Sequence, residues 1–431
     1  MTAIQDPRIQ PDIPNMHIPE FWVRDAGVID ADIARLHAES PLVFQPEETV
    51  PPELQEIFRP GVGAWMVTKH RDIAEISKNP EIFSSAAGIT VRDTDPEAAE
   101  FFSSMIVMDD PRHARMRKLV SAGFTPRMLH RLEDSVQEIA AEIVDDVCER
   151  GTVDFVVDVA AALPLRIVCD LMGIPPERYL EVFDFTNMIL GATDPEYLKD
   201  PAEMVTTLVN AGMGLAQIMN EVAASKRGGD SDDLTTILVN SEIDGEKLTD
   251  SELASFFILL TVAGNETTRN AIAWGLKYLT DNPNQRAIWQ ADFDGVGNTA
   301  IEEIVRLASP VTHMRRTATR DVELGGQQIL EGDKLVMYYY AANRDPEVFA
   351  NPSAFDVLRQ PTPTQIGFGG AGPHFCLGAH LARREITVMF RELFERLPDI
   401  HASGEPDLLR SNFIHGVKHL EATFTPTAPR G

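Results

Sequence analysis

The stretch Phe368-Gly369-Gly370-Ala371-Gly372-Pro373-His374-Phe375-Cys376-Leu377-Gly378 decides how this chain is read. It puts one thiol at the entrance to a helix, behind a glycine-rich loop and beside small and cationic neighbours. A helix N-terminus and a nearby cation favour the ionised sulfur. The glycines let backbone N–H groups approach it. This is the setting in which a protein holds a haem iron by sulfur, and such ligation favours O–O bond cleavage. The other two cysteines, Cys148 and Cys169, lie in helical, loop-poor surroundings and read as small buried apolar residues. There is no Cys-x-x-Cys or Cys/His zinc spacing, and three cysteines make no disulfide framework.

Around that loop, 431 residues would accommodate about three domains by length alone. No linker, repeat or low-complexity tract supports a division, so residues 1–431 read as one domain. Residues 1–16, polar and proline-bearing without an apolar signal region, read as a poorly structured extension. A hydrophobic content of 44% suits a chain with a substantial core. The longest apolar run, Phe256 to Leu260 continuing to Ala263, is far short of a membrane span, so a reducing, cytoplasmic setting is expected. Lys and Arg total 38 against 66 Asp and Glu, a net charge of −28, which argues against binding to nucleic acid or anionic membranes.

Helical periodicity covers Leu129–Arg150, Asp154–Met172 with a break near Pro164, and Ala202–Lys226. The best-marked helix starts at a capping box, Thr249-Asp250-Ser251-Glu252, and runs without proline to about Asp281. It is apolar on most sides and is expected to cross the core. Strands are expected at Gly63–Thr68 and as a pair within Val322–Tyr340, joined near Glu331-Gly332-Asp333. The fold class is mainly α with small β-sheets. Asp292, Asp294, Gly297 and Glu303 fit positions 1, 3, 6 and 12 of a calcium loop. Val296 at position 5 offers no side-chain oxygen, and the match is set aside.

Within the long helix lies Ala263-Gly264-Asn265-Glu266-Thr267-Thr268-Arg269-Asn270. A mid-helix glycine costs about 1 kcal/mol relative to alanine. Ala263 and Gly264 remove bulk, and Thr267 follows Gly264 on nearly the same face. A flat cofactor would fit there, with Glu266 and Thr267 as a carboxylate–hydroxyl proton relay. Alone, the segment would read as a kinked helix with a solvated glutamate; together with the Cys376 loop, the relay is the better reading.

These two motifs resemble those of the cytochrome P-450 family of haem-thiolate monooxygenases, and the resemblance extends over essentially the whole chain. It implies a triangular helical prism around a buried haem b ligated by Cys376. Glu303 and Arg306 match the family's ExxR pair, which with Arg359 would form a structural charge cluster. His113 and Arg117 match its HxxxR, Arg316 the arginine at the other propionate, and His374 a further propionate partner. Ala263, Gly264, Phe368 and Gly378 complete the cofactor-binding set. Two departures stand out: Phe368 precedes the cysteine by eight residues where seven is commoner, and Glu266 stands where Asp is more usual.

The resemblance also suggests the substrate. Phe101–His113, Phe256–Leu260, Gly264–Asn270 and Phe413–Gly416 are similar to mycobacterial members that hydroxylate terminal methyls of methyl-branched lipids and sterol side chains. Candidate pocket residues are Ile89, Val91, Met105, Ile106, Val107, Phe185, Met188, Leu190, Leu260, Ala263, Val311 and Phe413, with Phe183 beside them. They are strongly apolar, which implies a lipophilic substrate bound mainly by desolvation. Terminal (omega) hydroxylation of methyl-branched fatty acids or lipids is the leading expectation, with O2 as co-substrate and electrons from a separate ferredoxin and NAD(P)H ferredoxin reductase. Hydroxylation of a sterol side chain, a steroid or a terpene is the enzyme alternative. A haem-thiolate binding or sensor protein without turnover is the alternative of another class; a sensor needs no proton relay. Arg112, Arg115, Lys118, Arg383 and Arg384 are expected to form a basic patch where an acidic ferredoxin docks.

Overall fold

The structure, a computed structural model, describes residues 6–50, 54–55, 57–95, 104–123, 126–240, 242, 245–362 and 364–430. The side chains of residues 122–123, 126–127, 129–131 and 201 are not described. Phe101, Phe102 and Ser103 of one resembling segment lie outside the described residues.

Among these residues helices dominate. The central one, Asp250–Asp281, has 32 residues, roughly 48 Å at ~1.5 Å per residue. Its capping box is formed: Glu252 N–H donates to Thr249 Oγ1 at 3.1 Å and Thr249 N–H to Glu252 Oε2 at 2.9 Å. Nineteen of its residues are buried, from Leu253 to Leu279, so it does cross the core. Two glycines let neighbours approach closely. A Cβ on Gly264 would stand 2.8 Å from Val168 of helix Ala162–Met172, and one on Gly275 would stand 2.7 Å from the Phe390 ring of helix Ala379–Arg396.

The expected Leu129–Arg150 helix spans Pro126–Val147, and Ala202–Lys226 becomes Met204–Lys226 after a short 3-10 turn. The Asp154–Met172 reading needs correction. Thr152–Asp154 is a strand, Val156–Ala160 a π-helical turn, and helix Ala162–Met172 begins before Pro164. Pro164 sits in its first turn, where the missing N–H would have had no helical partner.

The largest sheet runs Leu42–Gln45, Ala64–Val67, Lys334–Tyr338, His313–Ala318, Phe83–Ser84. Its alternate residues feed two cores, as strand geometry requires. Val43, Met66, Val336 and Tyr338 meet Trp22 and Ile33 on one face; Phe44, Trp65, Leu335 and Met337 meet Ile73 and Ile76 on the other. The pair expected within Val322–Tyr340 is partitioned differently. Val322–Leu324 and Gln327–Ile329 turn at Gly325-Gly326, while Lys334–Tyr338 pairs with His313–Ala318, a strand that the sequence reading missed. Residues 6–16 are not a loose extension. Ile9 bridges Phe44, Arg8 pairs with Asp333 at 2.8 Å, and Met16 is fully buried. Among the described residues, no helix is long and apolar enough to cross a membrane.

Candidate functional site

The cysteine loop is shaped by backbone packing. Gly369, Ala371 and Gly372 adopt left-handed φ of 101°, 74° and 83°. A Cβ on Gly372 would fall 1.9 Å from the Ser77 carbonyl oxygen, so the loop rests directly on the end of helix His70–Lys78. Cys376 N–H donates to Phe368 O at 3.0 Å and closes the loop despite its extra residue. The N–H groups of Gly378 and Ala379, at the start of helix Ala379–Arg396, are directed at the sulfur. Burial pushes the Cys376 thiol up, against the pull of those N–H groups, Arg117 and Arg383. The Phe368 ring lies under the Arg383 guanidinium, 4.3 Å from its centroid.

Cys376 opens onto a cavity of about 350 Å³. His113, Arg117, Arg316 and His374 converge on it from three separate elements, along with Phe368 and Gly378. The His113 and His374 rings lie 4.1 Å apart. His113 Nδ1 is 3.4 Å from Asp110, while its buried Nε2 has no partner. Burial, Arg316 and His113 hold His374 down at about 3. Arg316 is buried, and burial lowers its pKa; it donates to Arg315 O at 2.7 Å, and among the described residues no carboxylate pairs with it. Arg117 donates to Phe375 O at 2.8 Å. Such a cluster of under-compensated donors calls for a dianionic partner. A Cβ on Gly378 would meet no protein atom within 4 Å. A thiol, facing cations and open space are what a haem with two propionates requires, so the residues fit that group. Among the described residues, no cluster of three or more His, Cys, Asp or Glu could hold a metal ion. Cys148 and Cys169 are buried elsewhere.

The central helix lines the cavity with Phe256, Leu259, Leu260, Ala263, Gly264 and Thr267. The bulk missing at Gly264, however, is what lets Val168 pack against the helix. Glu266 and Thr267, the expected relay pair, bond to other partners and not to each other. Thr267 Oγ1 donates to Ala263 O at 2.8 Å. Glu266 is buried off the cavity; its Oε1 accepts from Arg269 and, at 3.0 Å, from Asn270, and its Oε2 is unpartnered. Arg269 reaches on to Asn187 Oδ1 at 3.0 Å. A second acid, missed by the sequence reading, does line the cavity. Glu385 contacts Thr268, and burial raises its pKa to about 8. Its position nine residues beyond the cysteine, in the second turn of the helix that follows the loop, was the available signal.

Of the expected pocket residues, Met105, Ile106, Leu260, Ala263 and Val311 line the cavity. Ile89, Val91, Val107, Phe185, Met188, Leu190 and Phe413 do not. Val91 is buried with Met16 and Trp22 beneath the sheet. Phe185 fills the notch at Gly214, where a Cβ would stand 2.4 Å from its ring. Met188 faces outward. Val168, Leu171 and Met314 line the wall instead.

Glu303 is buried between two arginines. Arg306 donates to both of its oxygens at 2.7 and 2.8 Å, and Arg359 Nε donates at 3.0 and 3.1 Å. Asp292 caps helix Phe293–Ala308 and Asp294 pairs with Arg391, so the calcium-loop residues are spread along a helix. On the expected basic patch, Arg115 is engaged by Glu246 and Glu252 and Arg383 by Glu302.

The family model described as Cytochrome P450 matches residues 57–400. A methyl-branched lipid omega-hydroxylase of Mycobacterium tuberculosis is 47% identical over 409 residues, covering 94% of this chain and 93% of that protein. A steroid C26-monooxygenase of Mycolicibacterium smegmatis is 39% identical over 369 residues, 84% of each chain. Among solved structures, a Mycobacterium marinum cytochrome P450 in complex with pseudoionone superposes with a TM-score of 0.88 at 42% identity, covering 94% of this chain and 97% of that one. One from Novosphingobium aromaticivorans gives 0.84 at 28% identity, covering 98% and 100%.

Proposed function

The chain belongs to the cytochrome P450 family and is a monooxygenase, and from that premise we propose that it hydroxylates the terminal methyl of methyl-branched fatty acids or related lipids. The observation that carries this reading is the uncharged wall made by Met105, Ile106, Phe256, Leu259, Leu260 and Val311. Such a wall binds an alkyl chain by desolvation, at roughly 25 cal/mol per Å² of apolar area. It offers no partner to a polar group placed among these residues, so a branched alkyl end enters most favourably. The name of the 47%-identical relative supports the same choice. A sterol side chain ends in the same branched alkyl group, and the name of the 39%-identical relative favours it as the second reading.

We assign Cys376 as the residue whose thiolate would hold the iron of a haem b. Bound by thiolate, the haem supplies O–O cleavage and insertion of one oxygen into a C–H bond. The chain's own residues do the rest. Cys376 holds the group from the helix start, and metal coordination deprotonates a thiol outright. Burial keeps His374 neutral, His113 presents the unpartnered Nε2, and Arg316 presents a guanidinium with no carboxylate partner among the described residues. Thr267 places a hydroxyl on the cavity wall, and Glu266 stores a charge one residue away. For that carboxylate to serve Thr267, its bonds from Arg269 and Asn270 must loosen. The Glu303–Arg306–Arg359 cluster serves as structural support.

Electrons are proposed to come from a separate ferredoxin served by an NAD(P)H ferredoxin reductase. Its docking surface would centre on the exposed Phe375, next to Cys376, with exposed Arg112 and Lys118 on the neighbouring helix. Arg112→Glu should then slow reduction by an acidic ferredoxin severalfold.

The reading is tested by titrating the ferric protein with branched and straight-chain fatty acids, a cholestenone and a monoterpene while the Soret band is followed. A high-spin shift at the lowest concentration for the branched acid is expected. A shift with the steroid or terpene alone would reject the assignment.

A further inference from the structure

The segment Pro310–Thr312, which lines the cavity through Pro310 and Val311, is held from behind by a loop near the C-terminus. Thr312 N–H donates to Phe413 O at 2.9 Å, His415 N–H donates to Pro310 O at 2.9 Å, and Val311 bridges Ile414. The His415 end of this loop is fixed to the core. The ring stacks on Trp274 at 4.4 Å, and Trp274 Nε1 donates to His415 O at 3.1 Å.

The other end is fixed by the N-terminal segment. Asn412 Nδ2 donates to His17 O at 2.5 Å, while the Asn412 carbonyl lies 3.0 Å from His313 Nδ1 and also accepts from Thr312 Oγ1. His17 is itself anchored, with Nδ1 2.7 Å from the Tyr338 hydroxyl and Nε2 3.2 Å from Ala64 O. Two residues before Asn412, Arg410 pairs with Glu20 of the same N-terminal segment. Neither His17 nor Asn412 lines the cavity.

We propose that Asn412 is a positioning residue for substrate specificity. It ties the segment Asn15–Trp22 to the Pro310–Thr312 wall, so that the N-terminus helps set which carbon of a bound chain is presented for oxidation. A close-packed interior passes such displacements on instead of absorbing them. Selection between neighbouring carbons is sensitive to small displacements of the wall that aligns the chain. The inference rests on the reading of the site as one that oxidises a chain end.

Two variants test it in the haem-loaded enzyme. Asn412→Asp keeps the shape but sets an acceptor against the His17 carbonyl; Asn412→Ala removes the side chain. The carbon monoxide difference spectrum checks that each variant retains its thiolate-bound haem. With a methyl-branched fatty acid, the ratio of terminal to adjacent-carbon alcohol should fall by about threefold or more. The Thr312 amide should exchange with solvent about tenfold faster. An unchanged product ratio beside faster exchange would make Asn412 merely structural, and unchanged exchange would remove the coupling altogether. If wild-type enzyme oxidises no lipid chain, the substrate reading has failed on its own, and Thr312 exchange alone decides whether the N-terminus holds the wall.

Discussion

Glu266 and Arg269, one turn apart on the central helix, form a buried ion pair in which Glu266 Oε1 takes the bonds from Arg269 and Asn270 and Oε2 takes none. The acid next to Thr267 is thus tied to its own helix and, through Arg269, to Asn187 of helix Tyr179–Leu190. Removing one member of such a pair leaves an uncompensated buried charge, at a cost of about 3–5 kcal/mol. Arg269→Leu should lower chemical-denaturation stability by that order, and Glu266→Gln combined with it should restore more than half. Additive losses in the double variant would contradict the pairing.

Thr267 presents its hydroxyl to the cavity while bonding Ala263 O. Thr267→Ala should reduce alcohol formed per NADPH consumed severalfold, with substrate-induced spin shift unchanged, and Thr267→Ser should keep most of the coupling. Full coupling in the alanine variant would remove Thr267 from proton delivery.

Three buried histidines are held neutral by burial: His17 at about 4, His313 at about 3 and His415 at about 4. Their unfolded value is 6.5, so between 6.5 and about 4 the unfolded chain takes up protons that the fold excludes. Stability should be fully present above pH 6.5 and fall as pH drops through that window. His17→Gln should make the slope shallower by one group, about 1.4 kcal/mol per pH unit at most. Thermal denaturation from pH 7 to about 4.5 measures this; an unchanged slope would show that His17 is charged in the fold.

Glu385 has the opposite sign. Burial raises its pKa from 4.5 to about 8, so the fold holds a proton that the unfolded chain releases. Its contribution is fully present below pH 4.5 and is lost as pH rises towards 8. Glu385→Gln, neutral at every pH, should therefore gain stability over wild type progressively between pH 5 and 8. A constant difference across that range would show that the carboxyl is ionised.

Much of the site was legible because local chemistry enforces it. The Cys376 loop, the capping box at Thr249 and the Glu303–Arg306 pair each follow from residues a few positions apart. Features depending on distant contacts were not. Strand His313–Ala318 carries His313, Met314, Arg315 and Arg316 in a row, a pattern with little alternation, because it is buried by neighbours far along the chain. Apolar character could not separate Val91, Phe185 and Phe413 from true cavity residues, since core and pocket use the same side chains. The direction of the Glu266 carboxylate depended on Arg269 and Asn270, which compete for it on the same helix.

The most direct test of the account is to give the haem-loaded enzyme a methyl-branched fatty acid, ferredoxin, its reductase and isotopically heavy O2, and to locate the new oxygen by mass spectrometry. One heavy oxygen on the terminal carbon, absent with Cys376→Ser but retained with Cys148→Ser, is the predicted result. Oxygen placed within the chain, drawn from water, or still inserted by Cys376→Ser would contradict it.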